Sequence, residues 1–214
     1  MTLHVKSDKI ETYLFYQEDF MNILIIDACI REETSRTKKL LDQAITTIQQ
    51  VHPEANIETV SLAQTNLNWF DYQSLKERDA LLAQKKLEHP RFQLAHQFAQ
   101  ADGIVIAAPY WDASFPAILK VYIEHISVEG ITFGCDNNGL HGMCNAKYML
   151  YLTTRGSTAA EFEQATPYLK ALCFQFGIPS FLDISADGLD EFNVDSNAVL
   201  QEALTNTKLL CEKL

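Results

Sequence analysis

The sequence is short of positive charge, has no paired-cysteine motif and no long apolar run, and lacks both common glycine-rich phosphate loops. With 17 Lys and Arg against 28 Asp and Glu, the formal net charge is −11. That balance argues against nucleic acid or an anionic membrane as a partner, although an acidic surface is also simply soluble. The five cysteines (Cys29, Cys135, Cys144, Cys173 and Cys211) form no C-x-x-C and are odd in number. No disulfide framework or zinc site is therefore indicated, and reduced thiols in a cytoplasm fit. No segment reads as a membrane span, and the first twenty residues carry Asp8, Glu11, Glu18 and Asp19 without the apolar stretch of a signal peptide. The absence of G-x-G-x-x-G and of G-x-x-x-x-G-K disfavours a standard dinucleotide fold and a nucleoside triphosphatase.

What is present suits one globular domain. The 214 residues are 47% hydrophobic and 21% charged, enough to bury a sizeable core and too apolar for disorder. Met21 stands directly before the first strand signal, so the domain is expected over 21–214. Residues 1–20 read either as an extra arm or as the product of an upstream start, and no function is assigned to them.

From Met21 onward, strand and helix signals alternate. Apolar runs at Ile23–Ile26, Ile57–Leu62, Ile104–Ala108, Tyr148–Thr153 and Phe181–Ser185 predict five strands. Between them, apolar residues recur at helical spacing: Leu40, Leu41, Ala44, Ile45 and Ile48; Phe92, Ala95, Phe98 and Ala99; Leu119, Tyr122, Ile123 and Ile126. Phe162, Ala165, Leu169, Leu172, Cys173 and Phe176 predict a helix ending at Gly177, starting near Thr158 or Ala159. Ser196 is expected to cap the last helix, with Val199, Leu200, Ala203, Leu204 and Leu210 turned inward. A charged helical segment is expected around 73–88. This alternation implies an α/β three-layer sandwich around a five-stranded parallel sheet, with ligands bound beyond the carboxyl ends of the strands.

Three loops at those ends carry chemistry. After the first strand, Thr34, Ser35, Arg36 and Thr37 open a helix. Free N–H groups, hydroxyls and the helix dipole suit a phosphate monoester there, and the same residues also suit plain helix capping. After the third strand, Pro109, Tyr110 and Trp111 offer a flat wall for a planar ring, or pack as ordinary aromatics under a loop. After the fourth, Thr153-Thr-Arg-Gly-Ser157 lets backbone approach a ligand at Gly156 and adds the charge of Arg155; a simple strand-to-helix turn is the alternative.

Together these segments resemble the FMN-dependent NADH-azoreductases and the NAD(P)H:quinone reductases. The resemblance runs from Met21 to the C-terminus. It is densest over Ala107-Ala-Pro-Tyr-Trp-Asp-Ala-Ser-Phe-Pro-Ala-Ile-Leu-Lys120, with Gly130-Ile-Thr-Phe133 and Thr153-Thr-Arg-Gly-Ser157 at matching distances. It implies a flavodoxin-like fold with strand order 2-1-3-4-5 and FMN as cofactor. NADH or NADPH would reduce the flavin by hydride transfer at N5, and quinones or azo compounds would take the electrons in a ping-pong cycle. Ser35, Arg36 and Thr37 would hold the phosphate. Pro109, Tyr110, Trp111, Asp112 and Ala113 would line the isoalloxazine, and Thr154, Arg155, Gly156 and Ser157 its pyrimidine side.

No protein acid or base and no metal is implied for the hydride step. Members of the family are usually homodimers, and Trp69, Phe70 and Tyr72 would suit such an interface or anchor their loop to the protomer's own core. Azoreductases often have Asn-Phe at Asp112-Ala113, a second glycine at Ser157 and a serine-rich first loop where this chain has Glu32 and Glu33. Those glutamates would oppose a phosphate unless they point away or pair with Arg31 or Arg36. An electron carrier or redox sensor, and an interaction protein that has lost its flavin, are the rival readings. Arg155 is expected to stabilise a reduced, anionic flavin; otherwise it meets solvent, Glu161 or Glu163.

Overall fold

The computed structural model describes residues 21–137, 139–158 and 162–214. The expected arm over 1–20 and the positions Ala159 and Glu161 lie outside them. The elements run β1 (Asn22–Asp27), α1 (Arg36–Val51), β2 (Asn56–Ser61), α2 (Tyr72–Ala83), α3 (Gln93–Gln100), β3 (Gly103–Ala107) and α4 (Ala117–Ile126). There follow β4 (Phe133–Asp136), β5 (Gly139–Gly142), β6 (Tyr148–Thr154), α5 (Ala165–Phe176), β7 (Ser180–Ala186) and α6 (Ser196–Cys211). The main sheet has the order β2-β1-β3-β6-β7, all parallel, which is the expected 2-1-3-4-5 arrangement.

Continuous apolar runs form its centre because both faces are covered. Leu24, Ile26, Ile104, Ile106, Met149 and Tyr151 pack on one side against Phe98 of α3, Leu119, Tyr122 and Ile123 of α4, and Leu169, Leu172 and Phe176 of α5. Ile23, Ile25, Val105, Leu150 and Leu152 face the other way, onto Leu40, Leu41, Ala44 and Ile48 of α1 and Ala203 and Cys211 of α6. The period of two in each strand thus sorts neighbouring residues into two separate cores. Cys173 and Cys211 are buried among these apolar faces.

The pairing register matters most for function. Asp27 sits opposite Ala107, and Ala107 opposite Leu152, so β1, β3 and β6 deliver the loops that follow them side by side. Three details differ from expectation. The hairpin of β4 and β5, between α4 and β6, is an element that the strand and helix patterns did not announce. Asp195, one residue before Ser196, caps α6 by accepting from the N–H groups of Asn197 and Ala198. The fifth helix begins at Ala165, well after Thr158. The segment before it is committed elsewhere: Gln164 N–H donates to Ala113 O at 2.7 Å, and Glu163 Oε1 accepts from Thr166 N–H at 2.8 Å. The positive end of α5 therefore does not open directly from the Thr153–Ser157 loop.

The hairpin is locked against α5 by backbone contact. A Cβ built on Gly142 would overlap the backbone nitrogen of Gly177, the left-handed residue that ends α5. Neither backbone can retreat as a flexible side chain would. Gly142→Ala is expected to lower stability by about 3 kcal/mol, at the upper end of overpacking costs, in denaturant unfolding.

Candidate functional site

A polar cleft of about 230 Å³ lies beyond the carboxyl ends of the sheet, lined by Arg31, Thr34, Ser35, Arg36, Pro109, Tyr110, Trp111, Thr154, Gly156 and Asp190. A second cleft of about 320 Å³, bordered by Asn22, Asn56, Glu58, His96 and Gln97, opens at the amino ends of β1 and β2. That is the wrong end of a parallel sheet for the converging loops, so the first cleft is the site.

Ser35 has extended backbone and caps α1, its hydroxyl accepting from Lys38 N–H at 3.4 Å. Helix geometry leaves the N–H of Arg36, a lining residue, without an intrahelical acceptor at the cleft, and that of Thr37 without one just behind it. Capping and anion binding are thus compatible here, because the cap uses one N–H and leaves the others. The Thr37 hydroxyl is buried and spent on Thr154 Oγ1 at 2.7 Å, which ties the first loop to the third. Behind the loop, Asp27 accepts from Lys38 Nζ at 3.0 Å and from Cys29 N–H at 2.9 Å. Burial, aided by the charge of Asp27, pushes the Cys29 thiol up to about 12, so it stays protonated and is no thiolate nucleophile. For Lys38, burial works against its charge, but the hydrogen bond and charge of Asp27 outweigh it and raise the ammonium above its ordinary value.

The second loop turns back on itself. Trp111 and Ser114 exchange two backbone hydrogen bonds, at 3.0 and 2.8 Å. The two residues between them, Asp112 at φ 50° and Ala113 at φ 65°, both occupy the left-handed region. This is the geometry of a tight two-residue turn, normally given to Gly or Asn. It leaves Pro109 and Tyr110 half-buried and Trp111 37% exposed, as a wall with one open side. Tyr110 N–H donates to Thr154 O at 3.1 Å, joining second loop to third.

The third loop differs most from expectation. Arg155 is buried, its Nη1 donating to Asp187 Oδ2 at 2.9 Å and its Nη2 standing 4.0 Å from Glu163 Oε2. Its guanidinium lies 5.9 Å from the centre of the Tyr110 ring. The charge expected to face a ligand is thus matched by two carboxylates beneath the aromatic wall. Glu163, one of the partners foreseen, takes part; the closer one, Asp187, comes from the loop after β7.

Of the twelve residues singled out, Ser35, Arg36, Pro109, Tyr110, Trp111, Thr154 and Gly156 line the cleft. Thr37 and Arg155 lie buried behind it, Asp112 and Ala113 make the turn, and Ser157 is exposed at its edge. Glu32 and Glu33 are exposed and stand outside the lining.

The loop after β7 is the part that sequence reasoning missed. Leu189 N–H donates to Arg155 O, Asp190 N–H to Gly156 O, and Glu191 accepts from the N–H and hydroxyl of Thr158. Those two hydrogen bonds hold the Glu191 carboxyl below its ordinary value. The available signal was position: Asp187-Gly188-Leu189-Asp190-Glu191 follows a strand's carboxyl end like the other three loops.

The residues present fit a flavin mononucleotide. A long helix presents free N–H groups and Ser35 for a terminal phosphate, an aromatic wall stands beside it, and Gly156 brings bare backbone to the same cleft. A family model described as flavodoxin-like fold matches residues 21–209. The chain is 36% identical to the FMN-dependent NADH:quinone oxidoreductase of Clostridium beijerinckii over 192 residues, covering 87% of this chain and 96% of that one. It is 33% identical to the FMN-dependent NADH:quinone oxidoreductase 2 of Clostridium acetobutylicum, over the same shares of the two chains. In three dimensions it resembles the FMN-dependent NADH-azoreductase from Bacillus anthracis solved in complex with FMN, with a TM-score of 0.80, 21% identity, and coverage of 91% of this chain and 99% of that one.

Two expectations follow from the geometry. Arg155→Ala should destabilise the fold by about 3 kcal/mol in urea unfolding, because it leaves the buried Glu163 side chain and the half-buried Asp187 carboxylate without their counter-charge. Ala113→Gly should raise stability by about 0.5–1 kcal/mol, since relief of roughly 1–2 kcal/mol of left-handed strain exceeds the added chain entropy. A shift in the urea midpoint reads it.

Proposed function

The chain belongs to the flavodoxin-like fold family, and from that footing we propose that it is an FMN-dependent NADH:quinone oxidoreductase, with quinones or azo compounds as electron acceptors. The observation that carries this reading is the meeting of the α1 N-terminus and the Pro109–Trp111 wall in one cleft, in a chain 36% identical to an FMN-dependent NADH:quinone oxidoreductase along almost its whole length.

Bound FMN would supply the two-electron chemistry, accepting hydride from NADH and passing it to the acceptor. The residues of the chain bind and orient. Ser35 and the N–H groups of Arg36 and Thr37 hold the phosphate, with the helix dipole behind them. Pro109, Tyr110 and Trp111 lie along one side of the ring, and the strained turn at Asp112 and Ala113 sets their angle. Thr154, Gly156 and Ser157 offer backbone and hydroxyl groups to the pyrimidine side. Arg155, already matched by Asp187 and Glu163, keeps Tyr110 and the third loop in place and contributes little free charge. The open side of the wall leaves room for NADH and acceptor in turn, as a ping-pong cycle requires. Glu32 and Glu33 stand clear of the lining, which removes the main ground for a protein that has lost its flavin.

We also propose that the protein is a homodimer. Trp69 and Tyr72, 71% and 82% exposed, put two large aromatics on one stretch of surface, and aromatic side chains are enriched at interfaces. Phe70 between them is committed to its own protomer, its ring 4.5 Å from His125 and facing Arg78 and Arg91. No helix among the described residues is long and apolar enough to cross a membrane, and the free thiols suit the cytoplasm.

The purified protein should carry or take up FMN, released on denaturation and identified by chromatography, and should oxidise NADH with a quinone. Predominant FAD, or no flavin uptake, would overturn the assignment. Sedimentation should give a dimer at micromolar concentration, and Trp69→Ser should shift it toward monomer.

A further inference from the structure

The cleft contains an anion of its own. Arg36 Nη1 stands 2.9 Å from Asp190 Oδ1 and donates to Leu189 O at 3.1 Å. Both Arg36 and Asp190 line the same cleft as Thr34 and Ser35. The Asp190 backbone is fixed, since its N–H donates to Gly156 O at 2.9 Å. Its carboxylate also leans over Gly156, where a Cβ would overlap Oδ2. Yet its side chain is 67% exposed, so it can turn out to solvent without disturbing the loop.

We propose that Asp190 is an internal counter-anion for Arg36: it occupies the guanidinium until a flavin's phosphate displaces it, and so sets how strongly the site prefers a phosphorylated flavin to an unphosphorylated one. The proposal rests on the reading of this cleft as an FMN site. A guanidinium has donors enough for a carboxylate and a phosphate, but the two anions repel each other at such range. An ion pair this exposed is weak, so a dianionic phosphate, with the α1 N–H groups also on its side, wins the competition and Asp190 rotates away. The carboxylate therefore opposes FMN and is indifferent to riboflavin, which carries no phosphate.

The test titrates apoprotein with FMN and with riboflavin, followed by flavin fluorescence, in the wild type, Asp190→Asn and Glu191→Gln. Glu191 is a carboxylate on the same loop, bonded to Thr158. Asp190→Asn should tighten FMN about three- to tenfold and leave riboflavin unchanged, while Glu191→Gln should not tighten FMN. Unchanged or weaker FMN binding by Asp190→Asn would overturn the proposal, showing that Asp190 instead holds Arg36 ready for phosphate. Equal tightening by Glu191→Gln would overturn it too, reducing the effect to the general charge of the loop. Loss of flavin binding in the wild type would refute the FMN reading itself, and inorganic phosphate then decides the counter-anion separately. The rise in Tm that phosphate gives over chloride at equal ionic strength should be larger in Asp190→Asn; an equal rise would overturn the proposal.

Discussion

The parallel ladder that sets Ile26 against Ile106 and Ile106 against Tyr151 is the constraint on which the site depends. Parallel pairing points all carboxyl ends the same way, and this register brings them level. A slip of one residue would send the side chains of β1 and β3 that pack against α3, α4 and α5 into the layer of α1 and α6, and the reverse, so the two cores that cover the sheet hold the register. The loops after β1, β3 and β6 then need only short ties to converge. Those ties are the Thr37–Thr154 hydroxyl pair and the Tyr110 to Thr154 backbone bond.

The second layer of organisation is electrostatic. Arg155 and Arg36 each meet a carboxylate from the loop after β7: Arg155 with Asp187, and Arg36 with Asp190. The pairs differ in depth and therefore in consequence. Arg155 is buried, so its partners are needed to keep a charge in low dielectric and act as scaffold. The Arg36 pair is solvent-exposed, and an exposed pair is cheap to exchange. One loop thus supplies a fixed support beneath the aromatic wall and a replaceable contact at the mouth of the cleft.

A flavin enzyme needs little else from its protein. Hydride chemistry belongs to the cofactor, and the chain contributes orientation, polarity and access. Neither a reactive thiolate nor a buried general base is called for. Cys29, the cysteine nearest the first loop, is kept protonated by burial and by Asp27. The two left-handed residues at Asp112 and Ala113 store strain where the ring wall must bend, a common place for it.

By itself the sequence determined the alternation of strands and helices, the two-sided burial of the sheet and the three loops at its carboxyl end. These follow from local periodicity and from residues adjacent in the chain. Eight of the cleft-lining residues, Thr34 included, were legible for the same reason, because each lies within a few positions of a strand end or a helix start. What only the tertiary structure decided are contacts between residues far apart in sequence. Asp187 with Arg155 and Asp190 with Arg36 are 32 and 154 positions apart, and no pattern along the chain announces either pair. The delayed start of α5 is of the same kind, since Gln164 is drawn out of the helix by a carbonyl on the second loop. Periodicity reports which face of an element is buried, but the partner of a charged side chain is set by packing, which places loops that are distant in the chain side by side at the end of the sheet.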